Sequence, residues 1–251
     1  MGRGRKNHRP DLNGVLVIDK PLGWTSFDVC KLIRRATGGA KVGHAGTLDP
    51  LATGVLVVCL GRATKRIDEI MGTEKRYRAV IDLAHVSESH DLETPPTPPM
   101  PPADVTNAPS EDRVRETLAS FVGVIDQTPP AHSAIQIDGQ RAYELARKGE
   151  VVELKARPVV IHEIGIVKYE WPRLEIDVRC GKGTYIRSLA RDIGERLNTG
   201  GMLTGLIRTA VGAFTVEAAV KLDGMDEDAV RGVVEHASGC GDGSSVSDRA
   251  V

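Results

Sequence analysis

The sequence predicts an α+β fold, with a mixed, mainly antiparallel β-sheet flanked by helices and loops. The run Val55-Leu56-Val57-Val58-Cys59-Leu60 holds no polar residue, as expected of a strand covered on both faces. Strand-like runs at Val159–Tyr169 and Arg173–Arg179 flank a turn at Pro172, which reads as an antiparallel hairpin. Between such strands lie segments whose apolar residues recur at helical spacing.

In chain order, a basic tail (MGRGRKNHRP) precedes a first strand at Gly14–Asp19 and a turn at Lys20-Pro21-Leu22-Gly23. Thr25 or Ser26 caps a helix of about ten residues, with Asp28 in its first turn, where the helix dipole favours a negative charge. Val29, Ile33 and Ala36 line its inner face, and Gly38 and Gly39 stop it. The chain then enters an irregular loop from Val42 that leads into the apolar strand. Gly61–Met71, with Arg62, Lys65 and Arg66, reads as a charged helix whose cations face solvent or phosphate. Lys75–Leu83 reads as a strand with Tyr77, Ala79, Ile81 and Leu83 on one face. Tyr77 is a core residue on that pattern, or a stacking surface for a base beside Lys75, Arg76 and Arg78.

Residues 93–110 carry seven of the chain's fourteen prolines, giving an extended surface excursion without internal hydrogen bonds. Ser110 caps the next helix, with Val114, Leu118 and Phe121 or Val122 at helical spacing. A turn-rich stretch at Gln127–Gly139 follows, then a short helix over Arg141–Lys148 and the hairpin. The segment Cys180-Gly181-Lys182-Gly183-Thr184 fails as a phosphate-binding loop, because Gly183 stands where serine or threonine is required and Ile176 where the first glycine belongs. It opens instead a helix burying Ile186, Leu189, Ala190, Ile193 and Leu197, and Arg187, one position off that stripe, falls at the surface on spacing alone. Val211–Val216 reads as a closing strand, and the chain ends in an acidic, partly disordered tail.

With 41% hydrophobic and 27% charged residues, the composition is that of an ordinary globular protein able to bury a core without staples. No apolar run reaches membrane-spanning length and no signal peptide is evident, so a cytoplasmic location is expected; a monomer is the default. Cys30, Cys59, Cys180 and Cys240 form no CxxC pair, which argues against a zinc or disulfide framework. The net charge of −1 gives no support for a nucleic-acid partner, although residues 1–222 hold 31 basic against 27 acidic residues.

The chemistry centres on Val42–Leu60. Gly43, Gly46 and Gly54 permit backbone angles or close approaches that side chains forbid, and Pro50 stiffens the chain after Asp49. A carboxylate on a stiffened loop entering the core suits catalysis; a turn aspartate bonding its own backbone is the plain alternative.

Five pieces in this order, GVLVIDKPLGWTS, GHAGTLDPLATGVL, KRYRA, QTPPAHSAIQIDGQRAYELARKG and CGKGTYIRSLARDIGE, resemble the bacterial tRNA pseudouridine-55 synthases of the TruB family over roughly residues 14–215. The resemblance implies the pseudouridine synthase fold and an isomerase (intramolecular transferase) working on the T-loop of tRNA without cofactor or metal. It assigns Asp49 as nucleophile, with Tyr77 and Arg187 as further catalytic residues. Tyr77 stacks on the uracil and Arg187 pairs with Asp49. His44 fills the gap left by the flipped nucleotide, Tyr185 and Leu206 complete the pocket wall, and Lys20 supports the site.

The expected organisation is a basic flexible tail at residues 1–13, a catalytic domain at 14–222, as the resemblance implies, and an acidic tail at 223–251. The partner is the T-arm of tRNA, with no guide RNA and no membrane. Only 37 residues follow Phe214, so no complete C-terminal PUA-type RNA-binding domain is expected. Two departures stand out: Ser87-Glu88-Ser89-His90-Asp91 replaces a TDT-like acidic segment, and Gln136 stands where a lysine is usual. The competing readings are a pseudouridine synthase for another RNA, a non-catalytic RNA chaperone, and a glycosidase. The last needs a second carboxylate that the motifs do not offer.

Overall fold

The computed structural model describes residues 12–100, 108–133, 136–137, 140–141, 154–222 and 224–239. They belong to two compact units, one formed by residues 1–75 and 207–251 and the other by residues 76–206. The stretch 14–222 expected as one domain is therefore shared between both. The chain leaves the first unit in strand β4 (Lys75–Asp82) and returns to it in β10 (Met202–Val211).

In the first unit, β1 (Gly14–Lys20) runs antiparallel to β3 (Ala52–Leu60), with Gly14 opposite Leu60 and Lys20 opposite Gly54. β2 (Val42–His44) pairs with the end of β3, and β12 (Val220–Lys221) lies parallel to β1, giving the order β12-β1-β3-β10. The apolar run of β3 is buried on both faces, as its composition predicts. Val55, Val57 and Cys59 pack with Ala45, Ala63, Ile70 and Val211, and with Val15 and Val17 of β1. Helix α1 (Ser26–Ala36) is capped by Thr25, whose hydroxyl accepts from the Asp28 amide while the Asp28 carboxylate accepts from the Thr25 amide. Gly61–Arg66 is a 3₁₀ turn followed by α2 (Ile67–Met71).

Two departures from the sequence reading lie in this unit. The strand expected at Val211–Val216 is the end of a longer one: β10 turns at Gly212, whose φ is +53°, into β11 (Phe214–Thr215). The acidic end of the chain carries helix α5 (Glu227–Gly239), which packs on α1 and β1. Its Val230 and Val234 are buried, and Arg231 donates to the Ala36 carbonyl (2.8 Å).

In the second unit, the hairpin read around Pro172 is β8 (Arg157–Glu170) with β9 (Arg173–Cys180). β5 (Gly123–Gln127) pairs with β8, and the order is β10-β4-β9-β8-β5. β6 (Gln136–Ile137) and β7 (Gln140–Arg141) form a separate short pair. Beyond Arg141, the helix expected to Lys148 lies outside the described residues. Helix α3 (Glu111–Ala119) is capped by Ser110, whose hydroxyl accepts from the Arg113 amide (3.2 Å). Where described, the proline-rich stretch is largely exposed, anchored by mutual backbone hydrogen bonds between Val86 and Thr97. No helix among the described residues is long and apolar enough to cross a membrane.

Helix α4 (Ile186–Leu197) buries the five apolar residues its spacing predicts, and Arg187 with them. The arginine was expected at the surface, one position off the stripe. It is buried because His132, in the loop after β5, and the 87–91 segment pack partners around it. A methyl group on Gly194 would stand 2.1 Å from the Gly200 carbonyl oxygen, so α4 and the turn after it approach at a distance only glycine allows. Intrinsic helix propensity favours Gly194→Ala by about 1 kcal/mol, but the clash reverses the sign. Urea unfolding is expected to show a net loss of roughly 2 kcal/mol, and a gain would contradict this packing.

Candidate active site

The loop carrying Asp49 lies in the first unit, and its backbone is held at nearly every residue. Arg208 of β10 is fully buried and donates from Nε to the Val55 carbonyl (2.7 Å), from Nη1 to Thr47 (3.2 Å) and from Nη2 to Gly46 (3.1 Å). Ser26, at the start of α1, meets Leu48 twice: its hydroxyl accepts from the Leu48 amide (2.8 Å) and donates to the Leu48 carbonyl (3.1 Å). The Asp49 carbonyl accepts from the Ala52 amide (3.0 Å), closing a turn over Pro50. The Pro50 carbonyl accepts in turn from the Gly23 amide (2.8 Å). At the far end, Gly54 has φ +92° and donates to the Asp19 carboxylate (3.0 Å). A β-carbon there would lie 2.3 Å from the Arg208 carbonyl oxygen, which accounts for the glycine. Asp49 itself is half-buried. A carboxylate so placed reaches a ligand without first paying to order its loop.

Lys20 is fully buried, and its ammonium donates to the carbonyls of Trp24 (2.6 Å), Pro21 (2.9 Å) and Pro50 (3.5 Å). Burial pulls its pKa down to about 8; the Asp49 charge opposes that fall and the Arg208 cation adds to it. His44, at the end of β2, is half-buried, and burial, then Arg208, hold its pKa below the usual imidazole range. It is a neutral ring at pH 7, suited to lying against a base. Lys20, His44 and Asp49 therefore share one electrostatic neighbourhood, with Arg208 as a fourth member.

The other expected residues lie in the second unit. Tyr77 stands half-buried on β4, on the face shared with buried Ala79 and Ile81. Arg78 beside it is committed to the protein, reaching Asp177 with two bonds of 2.9 Å. The Lys75 ammonium, in the first unit, is likewise spent on the carbonyls of Met71 and Thr73 (both 2.6 Å). The expected combination of Tyr77 with three phosphate-seeking cations is thus reduced.

Tyr185 caps α4 without a side-chain hydrogen bond; instead, the Gln127 amide pairs with its backbone at 2.8 and 3.1 Å. Arg157 stacks over the Tyr185 ring at 5.4 Å. Arg187 donates to the carbonyls of His132 (2.9 Å) and Ser89 (3.3 Å) and lies 3.6 Å from the Asp91 carboxylate. Asp91 is itself buried and accepts from the Ser89 hydroxyl (2.5 Å) and the Glu93 amide (2.9 Å). The unusual segment at residues 87–91 thereby supplies Arg187 with a carboxylate and a carbonyl. Leu206 is buried on β10.

From the sequence alone, Ser26 reads as a helix cap and Asp91 as part of a divergent segment, and Arg208 is given no role, so none of the three is placed at the site. The signal for Arg208 was present: Leu206, Arg208 and Ala210 alternate on the buried side of β10, so an arginine stands at an inward position.

Residues 34–186 match the family model of the TruB family pseudouridylate synthases, N-terminal domain. The tRNA pseudouridine synthase B of Phocaeicola vulgatus is 50% identical over 219 residues, covering 85% of this chain and 92% of its own. That of Parabacteroides distasonis is 47% identical over 88% of this chain and 95% of its own. That of Clostridium perfringens is 46% identical over 86% and 73%. Among solved structures, a chain of a Cbf5-Nop10-Gar1 complex superposes with a TM-score of 0.65 at 26% identity. The match covers 92% of this chain and 65% of that one, so this chain spans about two thirds of its structural relative.

Two outcomes test the clamp. Arg208→Lys cannot reach three carbonyls and is expected to lower unfolding free energy by roughly 2–4 kcal/mol, since at least one buried acceptor is left unpaired; a change below about 0.5 kcal/mol would mean the carbonyls find other partners. For Lys20 the lowered pKa sets the sign. Between pH 8 and 10.5 the unfolded chain holds a proton that the folded chain has lost, so this group's contribution to stability rises with pH and is flat below pH 8. Wild type should therefore gain on Lys20→Met by about 1.4 kcal/mol per pH unit across that window, measured by urea melts at stepped pH.

Proposed function

The chain belongs to the TruB family of pseudouridylate synthases, and from that premise we propose that it converts uridine-55 in the T-loop of tRNA to pseudouridine, with Asp49 as the nucleophile. The observation that carries this reading is the clamped loop: a half-buried carboxylate on a backbone tied down by Arg208, Ser26 and Gly23. Curated relatives about 50% identical over most of both chains bear the name tRNA pseudouridine synthase B, which supports tRNA as the substrate.

The reaction exchanges one sugar–base bond for another. The C1′–N1 bond breaks, the uracil turns, C1′–C5 forms, and the C5 proton leaves while N1 takes one up, so the atoms balance without a co-reactant. A carboxylate serves such a sequence by attacking as a nucleophile, or by stabilising positive charge on the sugar. The target nucleotide has to leave its stack to reach a carboxylate on a protein loop. In the proposal, neutral His44 lies against the gap it leaves and Tyr77 stacks on the uracil. Arg187 supplies cationic charge to the reaction. Tyr185 and Leu206 contribute apolar wall, and Lys20 fixes the Pro50 side of the Asp49 turn. No guide RNA is required in this reading.

Asp49→Asn keeps the shape of the side chain and removes the nucleophile. Product formation on an unmodified tRNA transcript is expected to fall by at least about 10³-fold, with unfolding free energy changed by less than about 1 kcal/mol. Chemical labelling of pseudouridine, read position by position, is the measurement. Product at a site outside the T-loop would overturn the substrate, and turnover surviving Asp49→Asn would overturn the mechanism.

A further inference from the structure

Beside the clamped loop, the first unit presents a surface that the roles above leave unused. Leu22, Trp24 and Phe27 are 67%, 37% and 62% exposed, at the turn after β1 and the first turn of α1. An open groove of about 410 Å³ runs between Gly23, Trp24, Asp28, Lys31, Leu32 and Arg35. The Trp24 backbone is pinned, since its amide donates to the Pro21 carbonyl (3.4 Å) and its carbonyl accepts from the buried Lys20 ammonium (2.6 Å). Phe27 and Lys31 stand one helical turn apart, with Arg34 and Arg35 on the next turn of the same face.

The charges on this face are unequal in freedom. Asp28 spends its carboxylate on the Thr25 amide (3.0 Å) and hydroxyl (2.6 Å). Arg35 is paired with Glu227, and Arg34 donates to the Val42 carbonyl (3.1 Å). Lys31 enters no ion pair among the described residues. From Leu22 to Lys41 the sequence has four basic residues and one acidic. Exposed flat rings beside cations at helical spacing are what an unpaired nucleotide needs, a face for the base and a charge for the phosphate. A protein partner would call for a continuous apolar lining, whereas here charged side chains match apolar ones along the groove. The place also fits: Gly23, inside this surface, is bonded directly to Pro50, the residue after Asp49.

We infer that Trp24, Phe27 and Lys31 form a subsite for unpaired nucleotides of the RNA substrate, stacking bases on the two rings and seating a phosphate on the lysine. The inference rests on the RNA-modifying reading above, which it extends from the reacting uridine to the strand that accompanies it.

The chain has two tryptophans, so Trp171→Phe leaves Trp24 as the sole indole reporter. This protein is titrated with a single-stranded uridine octamer and with a blunt RNA duplex at about 50 mM salt. The single strand is expected to quench Trp24 emission while the duplex does not. Adding Phe27→Ala should weaken single-strand binding about tenfold, with the circular dichroism spectrum unchanged. Lys31→Gln should reduce the slope of log affinity against log salt by about 0.7. No quenching by the single strand, equal quenching by the duplex, or unaltered binding by a folded Phe27→Ala protein would overturn the subsite. The readout needs no turnover and should persist with Asp49→Asn. Quenching without pseudouridine formation by the unsubstituted protein would therefore sink the proposed function alone, and turnover without quenching would sink the subsite alone.

Discussion

Arg208 sits where a glycine-punctuated loop meets the strand that follows it, and its guanidinium takes one carbonyl from the strand and two from the loop. Charge-assisted hydrogen bonds of this kind are each worth more than a neutral one, and they have directions that a hydrophobic contact lacks. The surrounding sequence is shaped to admit the side chain. Gly54 is a glycine because the Arg208 backbone occupies the space of a β-carbon and because its φ is positive near the start of β3. From the opposite side, Ser26 and Gly23 meet Leu48 and Pro50. The same cation adds to burial in setting the local protonation states, lowering the pKa values of His44 and Lys20 further.

The second unit uses a related device around Arg187. Here the buried guanidinium meets a buried carboxylate, Asp91, which is itself saturated by Ser89 and Glu93. A buried ion pair seldom adds net stability over an apolar pair, but removing one partner strands the other charge. Such networks are suited to holding a group in one orientation. Gln127 does the same for the backbone at the head of α4, where its amide mimics a peptide partner for Tyr185.

Much of the framework was legible from residue order alone. The apolar run of β3, the alternation of β4, the capped start of α1 at Thr25 or Ser26, and the apolar stripe of α4 follow from periodicity and local chemistry, which need no knowledge of distant neighbours. Features that depend on distant neighbours were not legible. Arg187 is one position off its helix stripe, and partners 55 to 98 positions away in the chain explain its burial. The first half of β10 was obscured by Gly200, Gly201 and Gly205, which punctuate the sequence like a loop; the first two are required by close packing, and a side chain on Gly201 would meet the Ala190 carbonyl at 2.4 Å. Helix α5 was hidden by its acidic composition, although Val230 and Val234 carry helical spacing. At the site, the aspartate and its loop were recognisable as motifs, whereas the clamp was not, because an arginine in a strand gives no hint of which carbonyls it will meet.

The proposed role of Asp49 requires its backbone to be fixed before any RNA arrives, and amide hydrogen exchange on the free protein tests that most directly. The amides of Ala45, Leu48, Ala52 and Gly54 each donate to a named acceptor. If the loop is clamped, they exchange within about tenfold of the central amides of β3, since both then open only with the unit that holds them. Exchange of these four amides near the unprotected rate, with the central amides of β3 still protected, would show that the loop and the start of β3 move independently of the rest of the strand, contradicting a fixed Asp49 backbone.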